Sequence, residues 1–521
     1  MRAFSMQNER YEGEGAGPSN AEIKEIDPNT EEMIMLLKDI AKAAPGLVRI
    51  IGNENKEVYA VCSDSRKVVS GALFFCIPGM RYDAHNYAPQ VKEAGAAAIV
   101  VDHELPLDIP QVLVKDVRNA LSYMAAAFYG NPAKKLHMIG LTGTKGKTTT
   151  SFLIKSILEK MGHKVGLIGT VCSMIGDEEL PATLTTPDSI DLQRLLLKMV
   201  DSGVTHVVME VSAHALAMER VAGICFDAAA FTNFSQDHLD YFHTMENYLQ
   251  AKMRLFDPDM CKKAAYNCDD DSTKCLEGRG FTRAGISADS DVFAKEIEIG
   301  ERGCQFMLTF YRRFSVHVSL RLAGIFNVYN ALLAASVCDL LGATGEQICE
   351  GLEAVAGVPG RIELLDTDTP YRVILDYAHS PDSLENILKA IRQTAKQRVI
   401  ALFGCGGDRD HEKRPVMGEI GGRLADYCIL TSDNPRGEAP YEILKSIEEG
   451  IMKTDCDYTV IENRREAILY GLRICRPGDV LVLAGKGHET YQEIRGVKYP
   501  FDEKVVVKEL LEKHAPEAAR V

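Results

Sequence analysis

Residues 143–149, Gly-Thr-Lys-Gly-Lys-Thr-Thr, form a glycine-rich loop of the kind that holds nucleotide phosphates. The backbone N–H groups of such a loop and the start of the next helix attract anions, while Lys147 can reach β- and γ-phosphate oxygens and Thr148 can ligate Mg²⁺. The loop is a shortened variant, because Leu141 stands where the standard pattern has its first glycine. A glycine turn with two exposed lysines is the alternative. The candidate phosphate-binding residues are Gly143, Thr144, Lys145, Gly146, Lys147, Thr148 and Thr149.

Two strand ends carry groups that could hold the metal of a phosphate site. Glu210 ends an otherwise apolar strand, where an unpaired charge is costly to bury, so we interpret it as a Mg²⁺ ligand. A solvated or lysine-paired carboxylate is the alternative. Residues 232–240 concentrate oxygen and imidazole groups and could hold a second metal, although their acidic residues could instead cap a helix. Ser212 could bind a substrate, and His214 is left outside the site.

Four loops in the last third of the chain place both charge signs at strand ends. Alternating anion- and cation-binding groups suit a zwitterionic amino acid, although each loop alone is compatible with ordinary loop chemistry. Four of them in one block favour a shared site. The loops are Asp376-Tyr-Ala-His379, Gly404-Cys-Gly-Gly-Asp-Arg-Asp410, Asp433-Asn-Pro-Arg436 and Gly485-Lys-Gly-His-Glu489.

Strands and helices alternate around these loops, as is typical of an α/β fold. The phosphate loop follows a predicted strand and precedes a predicted helix that Gly162 ends, which favours phosphate binding over a simple turn. Because open α/β sheets bind ligands at the carboxyl ends of their strands, the candidate residues should meet there. Helical spacing is also predicted around residues 35–40, and a helix over 87–94. The predicted strands are 72–77, 98–101, 136–141, 205–210, 227–233, 373–376, 399–403, 427–430 and 480–483.

Length and charge exclude several classes of protein. The 521 residues suggest about three domains at roughly 150 residues each. The 59 basic and 74 acidic residues give a net charge of −15, which argues against a protein that coats nucleic acid or an anionic membrane. The 14 cysteines form no C-x-x-C pair, and no apolar run is long enough to cross a bilayer. We therefore expect a cytoplasmic protein with free, mostly buried thiols.

Changes in composition divide the chain into four parts. Residues 1–32 are polar and lack periodicity, so they are predicted to be a mobile tail. Glycine and proline in residues 355–360 predict a hinge. The predicted domains are 33–135, 136–358 and 359–521.

Taken together, the motifs resemble those of the Mur ligase family, and the resemblance covers the chain from about Met33 onward. It implies an α/β enzyme of three domains: an N-terminal domain that binds a uridine nucleotide, a central P-loop ATPase domain and a C-terminal Rossmann-like domain for an amino acid. The motifs, in order, are G-T-K-G-K-T-T, M-E-V-S-A-H, T-N-F-S-Q-D-H-L-D, G-I-F-N-V-Y-N-A, P-G-R-I-E, D-Y-A-H-S-P and D-N-P-R-G-E-A-P.

Within the family, the chain is similar to the ligases that make UDP-N-acetylmuramoyl-tripeptide for peptidoglycan, and so to enzymes that serve cell wall biogenesis, cell shape and cell division. The resemblance implies that the free carboxylate of UDP-N-acetylmuramoyl-L-Ala-D-Glu attacks the γ-phosphate of ATP. The amine of meso-2,6-diaminopimelate then displaces phosphate from the acyl phosphate. It implies a requirement for ATP and two Mg²⁺ ions. We also expect a monomer, and from the acidic charge no nucleic-acid or membrane partner.

The resemblance assigns the catalytic and metal-binding roles to four residues: Lys147, Glu210, His238 and Lys252. Thr148 and Glu210 would serve one Mg²⁺, and His238 and Lys252 the other. Lysine becomes a metal ligand in related ligases when CO₂ converts it into a carbamate. From the residues alone, Lys252 would instead be a solvated helix lysine.

Two further ligand sets follow from the resemblance. Adenine and ribose would contact Asn327, Asn330, Arg361, Asp376 and His379, although the two asparagines could instead cap a helix. Met218 stands where the family leads us to expect glutamine, so it is left out of the substrate set. The residues implied for the UDP-linked dipeptide are Ser63, Ser65, Met80, Arg81, Tyr82, Thr185, Thr186, Ser212 and Arg220.

The third amino acid is inferred from the Asp-Asn-Pro-Arg box, which in the family marks ligases that add meso-diaminopimelate. Arg436 would bind the distal carboxylate and disfavour L-lysine, while Glu489 would suit the distal ammonium. Addition of L-lysine, a folylpolyglutamate synthetase and a nucleotide-binding scaffold without catalysis are the alternatives. The implied diaminopimelate-binding residues are Arg409, Asp433, Asn434, Pro435, Arg436, Gly485 and Glu489.

Overall fold

The structure is a computed structural model that describes residues 33–79, 82–182, 184–287 and 289–514. The predicted tail over residues 1–32 and the predicted substrate residues Met80 and Arg81 lie outside the described residues. Within the described ranges, no helix has both the length and the apolar composition that a membrane span requires.

The first part of the chain folds around a five-stranded sheet, the N-terminal sheet, with strand order β2-β7-β6-β5-β4. Only β2 runs antiparallel to its neighbour. Fully buried residues of β5 and β6 pack against α3 on one face, because both faces of a parallel sheet must be covered. The elements are β1 Met35–Leu36, α1 Leu37–Ala41, β2 Leu47–Ile51, β3 Glu57–Val58, β4 Ala60–Cys62, β5 Ala72–Phe75, α2 Ala88–Glu93, β6 Ala98–Val101, β7 Gln111–Val114 and α3 Val117–Phe128.

The helical spacing predicted around residues 35–40 is only partly correct. Met35 and Leu36 form strand β1, which pairs with β3, and the helix begins at Leu37. Leu36 faces Glu57 across this short ladder, so tertiary pairing overrides the local preference.

The middle of the chain forms an eleven-stranded sheet, the central sheet. Its strand order is β11-β10-β9-β12-β8-β13-β14-β15-β16-β17-β18, with parallel pairing from β9 to β16 and antiparallel pairing at both ends. Its strands are β8 His137–Thr142, β9 Val165–Ile168, β10 Cys172–Ile175, β11 Glu178–Pro181, β12 His206–Glu210, β13 Ala228–Phe231, β14 Ala264–Asn267, β15 Thr282–Gly285, β16 Val292–Gly300, β17 Gly303–Phe310 and β18 Phe314–Leu320.

Helices cover both faces of the central sheet. Ile139 and Val208 belong to the cluster that α4 and α9 complete, whereas Met138 and Val207 face the opposite cluster, which includes Leu196 of α5. This alternation explains why the middle residues of β8 and β12 are apolar on both faces of the sheet. The helices are α4 Lys147–Lys160, α5 Ser189–Asp201, α6 Ala213–Ala217, α7 Leu239–Phe242, α8 Met245–Met253, α9 Ile325–Leu340 and α10 Gly345–Ala354.

The last part of the chain forms a six-stranded sheet, the C-terminal sheet, with strand order β19-β20-β24-β21-β22-β23. All neighbours are parallel except β19 and β20. The elements are β19 Glu363–Leu365, β20 Arg372–Asp376, α11 Pro381–Thr394, β21 Val399–Phe403, α12 Lys413–Leu424, β22 Tyr427–Leu430, α13 Pro440–Ile451, β23 Asp457–Val460, α14 Arg464–Ile474, β24 Val480–Ala484, β25 Tyr491–Ile494, β26 Val497–Pro500 and α15 Glu503–His514.

The predicted strands and the predicted cysteine chemistry agree with the structure. Strands β6, β21 and β22 have the predicted bounds, and the other predicted strands are found within one or two residues of theirs. All 14 cysteines are free, and eight of them are buried. The prediction of free, mostly buried thiols is confirmed.

Candidate active site

The phosphate loop joins the carboxyl end of β8 to the amino end of α4, as predicted. Gly143 and Gly146 adopt φ values of +133° and +83°, and a side chain on Gly143 would collide with Thr232 Oγ1. The Asn233 side chain fixes the loop, because its Oδ1 accepts from Lys145 N at 2.9 Å and its Nδ2 donates to Lys145 O at 3.0 Å. The loop is therefore a fixed turn whose shape requires glycine.

Two buried lysines converge on the same loop carbonyl. Lys147 Nζ donates to Gly143 O at 2.9 Å, and Lys252 Nζ donates to it at 2.7 Å. Burial lowers the pKa of Lys147 to about 8, and burial and the charge of Lys147 lower the pKa of Lys252. The Lys252 ammonium also lies 4.4 Å from the ring centre of Tyr248. Lys252 is 1% exposed, so the solvated helix lysine expected from the residues alone is wrong.

Glu210 lies at the end of β12, fully buried beside the phosphate loop. In the described residues, its carboxylate accepts hydrogen bonds only from Thr170, from the backbone N at 3.0 Å and from Oγ1 at 2.9 Å. Arg361 reaches Thr148 Oγ1 at 3.4 Å from the C-terminal part of the chain. A buried carboxylate with so few partners suits a cation, as the sequence predicts for Glu210 and Thr148.

The predicted second metal group lies on the other side of the loop. Lys145 Nζ is 3.1 Å from Asp237 Oδ2. Burial alone would raise the pKa of Asp237, but Lys145 together with His238 and His379 lowers it. Burial lowers the pKa of His238 to about 4, which keeps its imidazole neutral and able to ligate a metal. His214 packs edge-on against His238 with ring centres 4.8 Å apart. His214 therefore belongs to the group from which sequence analysis left it out.

A cavity of about 380 Å³ opens between the phosphate loop and the C-terminal sheet. Ser235 Oγ and Arg361 Nε at this cavity are buried and have no hydrogen-bond partner among the described residues. Such atoms indicate a polar ligand. The lining includes most of the residues predicted to bind ATP: Lys145, Gly146, Thr148, Thr149, Asn327, Asn330, Arg361 and Asp376.

The two asparagines of α9 lie against the phosphate loop. Asn330 Oδ1 accepts from Thr150 Oγ1 at 3.3 Å, and Asn330 Nδ2 donates to Asn327 Oδ1 at 3.0 Å. Asn327 Nδ2 in turn donates to Ala323 O at 2.8 Å. Burial raises the pKa of Asp376, which accepts from Ile362 N at 2.8 Å. These contacts line the cavity with oriented amide and carboxyl groups.

Asp237, His238 and His214 together are called the His238 group. A second cavity, of about 620 Å³, connects this group to the C-terminal sheet. His379 lines this cavity and not the first, in which the resemblance placed it, and burial lowers its pKa to about 3. The residues implied for diaminopimelate that line it are Arg409, Asp433, Asn434, Arg436, Gly485 and Glu489.

Arg436 and Glu489 line this second cavity, and each is paired with an oppositely charged residue behind the cavity wall. Arg436 Nε lies 3.3 Å from Glu493 Oε2, and Lys486 Nζ lies 3.3 Å from Glu489 Oε2. Asn434 Nδ2 also donates to Glu489 Oε2, at 2.9 Å. Burial alone would raise the pKa of Asp433, but Lys486 and neighbouring Arg464 lower it. The cavity can therefore bind a ligand with both ammonium and carboxylate groups.

Four of the residues implied for the UDP-linked substrate cluster near Glu210. Thr186 Oγ1 donates to Glu210 O at 2.8 Å and accepts from Ser212 N at 3.1 Å. Arg220 donates to Thr186 O at 3.0 Å, and its other terminal nitrogen lies 3.6 Å from the Met218 sulfur. Thr185 Oγ1 lies 3.1 Å from Thr170 Oγ1. The sulfur of Met218 thus contacts Arg220 where the family pattern would lead us to expect an amide.

The substrate residues implied in the N-terminal part are separate from this cluster. Ser63 and Ser65 follow β4, and Tyr82 is 74% exposed. Between the described residues, no hydrogen bond joins any of these three to Thr186 or Arg220. The structure therefore brings together only the later members of that set.

Several polar residues that line a cavity or contact a predicted site residue were missed by the sequence analysis. Asn233 and Lys486 lie inside the motifs that were singled out, so their position was a usable signal. Thr170 and Glu493 lie outside every motif, and only the fold brings them to Glu210 and Arg436. Lys413, at the start of α12, donates to His379 O at 2.8 Å, which is also a contact between distant segments.

Comparisons with known families agree with this architecture. Residues 57–129 match the Mur ligase family, catalytic domain; residues 141–338 match the Mur ligase middle domain; and residues 360–487 match the Mur ligase, glutamate ligase domain. With the three α/β sheets, these matches confirm the predicted three-domain α/β fold.

Two relatives are similar along almost their whole length. Both are named UDP-N-acetylmuramoyl-L-alanyl-D-glutamate--2,6-diaminopimelate ligase. The protein from Caldanaerobacter subterraneus subsp. tengcongensis is 46% identical over 92% of this chain and 99% of its own, and that from Geobacillus thermodenitrificans is 45% identical over 91% and 99%.

Solved structures show the same fold. A structure of a UDP-N-acetylmuramoyl-L-alanyl-D-glutamate--2,6-diaminopimelate ligase is 30% identical, with a TM-score of 0.66 over 93% of this chain and 100% of that chain. A folylpolyglutamate synthase from Mycobacterium tuberculosis shares the fold at 16% identity, with a TM-score of 0.58 over 71% of this chain and 93% of that chain. The three family domains and the nearly full-length relatives show that the chain belongs to the Mur ligase family.

Proposed function

We propose that the chain is an ATP-dependent ligase that adds meso-2,6-diaminopimelate to UDP-N-acetylmuramoyl-L-alanyl-D-glutamate in peptidoglycan precursor synthesis. The names of its nearly full-length relatives support this proposal. The observation that carries it is the second cavity, where Asp433, Arg436 and Glu489 offer both charge signs beside the His238 group. An amino acid bound there lies next to the nucleotide loop, where an activated carboxylate would form.

The chemistry would proceed by charge neutralisation, without a protein nucleophile. The dipeptide carboxylate attacks the γ-phosphorus of ATP, the bond to the β–γ bridging oxygen breaks, and ADP leaves. Lys147 and the loop N–H groups stabilise the negative charge on the transferred phosphoryl group. The neutral amine of diaminopimelate then attacks the acyl carbon, and phosphate leaves as the amide bond forms.

Two Mg²⁺ ions fit the oxygen and imidazole groups at the loop. Thr148 and Glu210 would hold one, and His238 and Lys252 the other, where the ions would neutralise charge on the phosphates. Glu210 fits because it is buried and accepts only from Thr170 within the described structure.

Carbamylation of Lys252 is part of the proposal. CO₂ reacts with a neutral amine. Burial and the Lys147 charge lower the pKa of Lys252, which favours the neutral form of its amine. The resulting carbamate would turn a cation beside Gly143 into an anionic metal ligand.

The remaining parts of the proposal concern the whole protein. We propose domains over residues 33–135, 136–358 and 359–521, with residues 1–32 as a tail. A monomer in the cytoplasm is sufficient, because one chain supplies the loop, the Glu210 cluster and both cavities. Such a ligase would serve cell wall biogenesis and, through it, cell shape and division.

Phosphate release tests the activity and its specificity together. The purified protein is given ATP, Mg²⁺ and UDP-N-acetylmuramoyl-L-Ala-D-Glu, with either meso-diaminopimelate or L-lysine. We expect release with diaminopimelate and a loss of at least about tenfold in kcat/KM in Arg436→Ala, because a bidentate carboxylate contact contributes more than about 1.4 kcal/mol.

Arg392→Ala is the matched control, because Arg392 is an exposed arginine on α11 that pairs with Asp426 at 2.8 Å and lines neither cavity. Release with L-lysine would keep the ligase and reject the role of Arg436. Release with neither amino acid would redirect the search to other carboxylate acceptors, such as folates.

A further inference from the structure

The N-terminal sheet carries a compact group of two histidines and one aspartate that the ligase reaction does not use. Asp102 and His103 directly follow β6, and His85 lies on a short 3₁₀ helix, Ala84–Tyr87, after β5. One ligand atom from each of the three lies within 4.8 Å of the others. Because β5 and β6 are parallel neighbours, the fold places their carboxyl ends side by side.

The orientation of His85 is fixed from behind. Its ring is 5% exposed, and its Nδ1 lies 2.6 Å from Asp83 Oδ1. Asp83 itself is held, because the same oxygen accepts from the His85 backbone N at 3.0 Å. When the Nδ1–H of His85 donates to Asp83 Oδ1, the lone pair of Nε2 faces Asp102 and accepts from its backbone N at 3.5 Å, a long hydrogen bond that a metal would replace. A carboxylate behind a histidine is the usual support of a metal-binding imidazole.

The spacing of the ligand atoms suits a small tetrahedral ion. Two ligands at about 2.0–2.1 Å from Zn²⁺ are about 3.3 Å apart at the tetrahedral angle, and His85 Nε2 lies 3.3 Å from Asp102 Oδ1. His103 Nδ1 lies closer, at 2.5 Å from the same oxygen, but its side chain is 60% exposed and can rotate outward. The two imidazole rings already stack with centres 4.6 Å apart.

We propose that His85, Asp102 and His103 form a site for a divalent transition metal such as Zn²⁺, with Asp83 as the residue that orients His85. Two imidazoles and one carboxylate favour zinc over Mg²⁺ or Ca²⁺, which prefer oxygen ligands. Three protein ligands leave a fourth position for water. The metal ties the segment after β5 to the segment after β6, next to the exposed Tyr82.

Metal titration of the full-length protein tests the site. After chelator treatment, Zn²⁺ is titrated by equilibrium dialysis into wild type, His103→Ala and Asp102→Asn. We expect both variants to bind one equivalent less, or to bind that equivalent at least tenfold more weakly. Asp83→Asn should weaken it by about 10–100-fold, as for other residues that orient a metal-binding histidine.

The variants avoid the buried His85, so that loss of binding is not loss of folding. His137→Ala is the control, because His137 is 61% exposed and also pairs with an aspartate, Asp227, at 3.1 Å. Co²⁺ separates this site from the free thiols: imidazole and carboxylate ligands give d–d bands without a thiolate charge-transfer band.

Thermal unfolding supplies a second readout. Zn²⁺ should raise the Tm of wild type and of His137→Ala by more than that of His103→Ala, because each equivalent that binds only the folded state adds to its stability. Equal stoichiometry and affinity in wild type, His103→Ala and Asp102→Asn would overturn the proposal. The group would then be a hydrogen-bonded network in which His85 bridges Asp83 and Asp102.

Discussion

At the scale of single residues, burial of His206 makes the stability of the central sheet depend on pH. His206 is 8% exposed and stacks between His163 and His137, with ring centres 3.9 Å and 4.6 Å away. Burial and then the two neighbouring rings lower its pKa to about 4. In the unfolded chain its pKa is about 6.5. Between these values the unfolded state binds a proton that the folded state does not, so the free energy of unfolding falls as the pH falls through this window.

This difference predicts that lowering the pH from 7 to 5 costs wild type about 2 kcal/mol more than it costs His206→Gln. Urea unfolding at the two pH values, followed in the central part of the chain, measures the difference. His317→Gln is the control, because His317 is an exposed histidine on β18 of the same sheet. Equal losses in wild type and His206→Gln would show that other groups carry the pH dependence.

At the scale of elements, helix α4 is flanked by two glycines, Gly146 before it and Gly162 after it. Their φ values are similar and positive, but their surroundings differ. Gly146 has φ +83°, and a side chain there would collide with Asn330 Oδ1, which is held between Thr150 and Asn327. Gly162 has φ +87° with no atom within 4 Å of such a side chain. A substitution at Gly162 therefore tests backbone strain alone, whereas one at Gly146 adds a clash with Asn330, which lines the first cavity.

We predict that Gly146→Ala and Gly162→Ala each lose about 1–2 kcal/mol of stability, because alanine disfavours the left-handed region. Only Gly146→Ala should also lose ATP affinity, by at least about tenfold, since it displaces Asn330 from the first cavity. Thermal unfolding and calorimetric titration with ATP measure the two effects. An unchanged ATP affinity in Gly146→Ala would contradict the placement of Asn330 in the nucleotide site.

The same helix shows which features the sequence can predict. A strand, a glycine loop and an amphipathic helix that Gly162 ends are specified within about thirty residues, so the sequence locates them closely. Leu36 was predicted less well, because pairing with Glu57 competes with its helical spacing. The strands β16–β18, which extend the central sheet by antiparallel pairing, were not predicted, although β18 alternates apolar and polar residues as a half-buried strand does.

The residues of the candidate site also fall into two groups: those with a local sequence signal, and those that only packing between distant segments brings to the site. Lys147 and Glu210 were found because a loop motif and a charge at an apolar strand end are local signals. The burial of Lys252, the position of His379 in the second cavity and the contact of Glu493 with Arg436 depend on packing between distant segments. Only the resemblance to a family identified Lys252 in advance, since a lysine on a short helix is ordinarily solvated.

At the scale of the whole molecule, Glu219 links three parts of the chain. Its carboxylate accepts from Asn119 Nδ2 of α3 at 3.2 Å and from Arg254, just after α8, at 2.5 Å. Its backbone carbonyl accepts from Ser122 Oγ of α3 at 2.5 Å. Glu219 precedes Arg220 and adopts φ +59°, so this junction sets the direction in which Arg220 leaves the backbone.

We predict that Glu219→Ala raises the KM for the UDP-linked dipeptide by about tenfold and changes the KM for ATP much less. Alanine and glutamate are similarly disfavoured in the left-handed backbone conformation of residue 219. The comparison of wild type with Glu219→Ala therefore isolates the contacts of the side chain. Loss of an amide contact and a charged contact accounts for about 1–3 kcal/mol. Glu353→Ala is the control, because Glu353 accepts from Ser319 N at 2.7 Å elsewhere in the same part of the fold.

A double-mutant cycle between Asn119→Ala and Glu219→Ala tests whether this contact couples the N-terminal sheet to the central one. If it does, the two substitutions together should cost about 0.5–1.5 kcal/mol less than the sum of their separate effects on kcat/KM, because each alone already breaks the shared hydrogen bond. Additive effects would mean that the two parts are held by other contacts, such as that between buried Ser122 and Ser189 at 2.7 Å. The cycle thus measures how strongly the orientation of the N-terminal sheet depends on one residue beside Arg220.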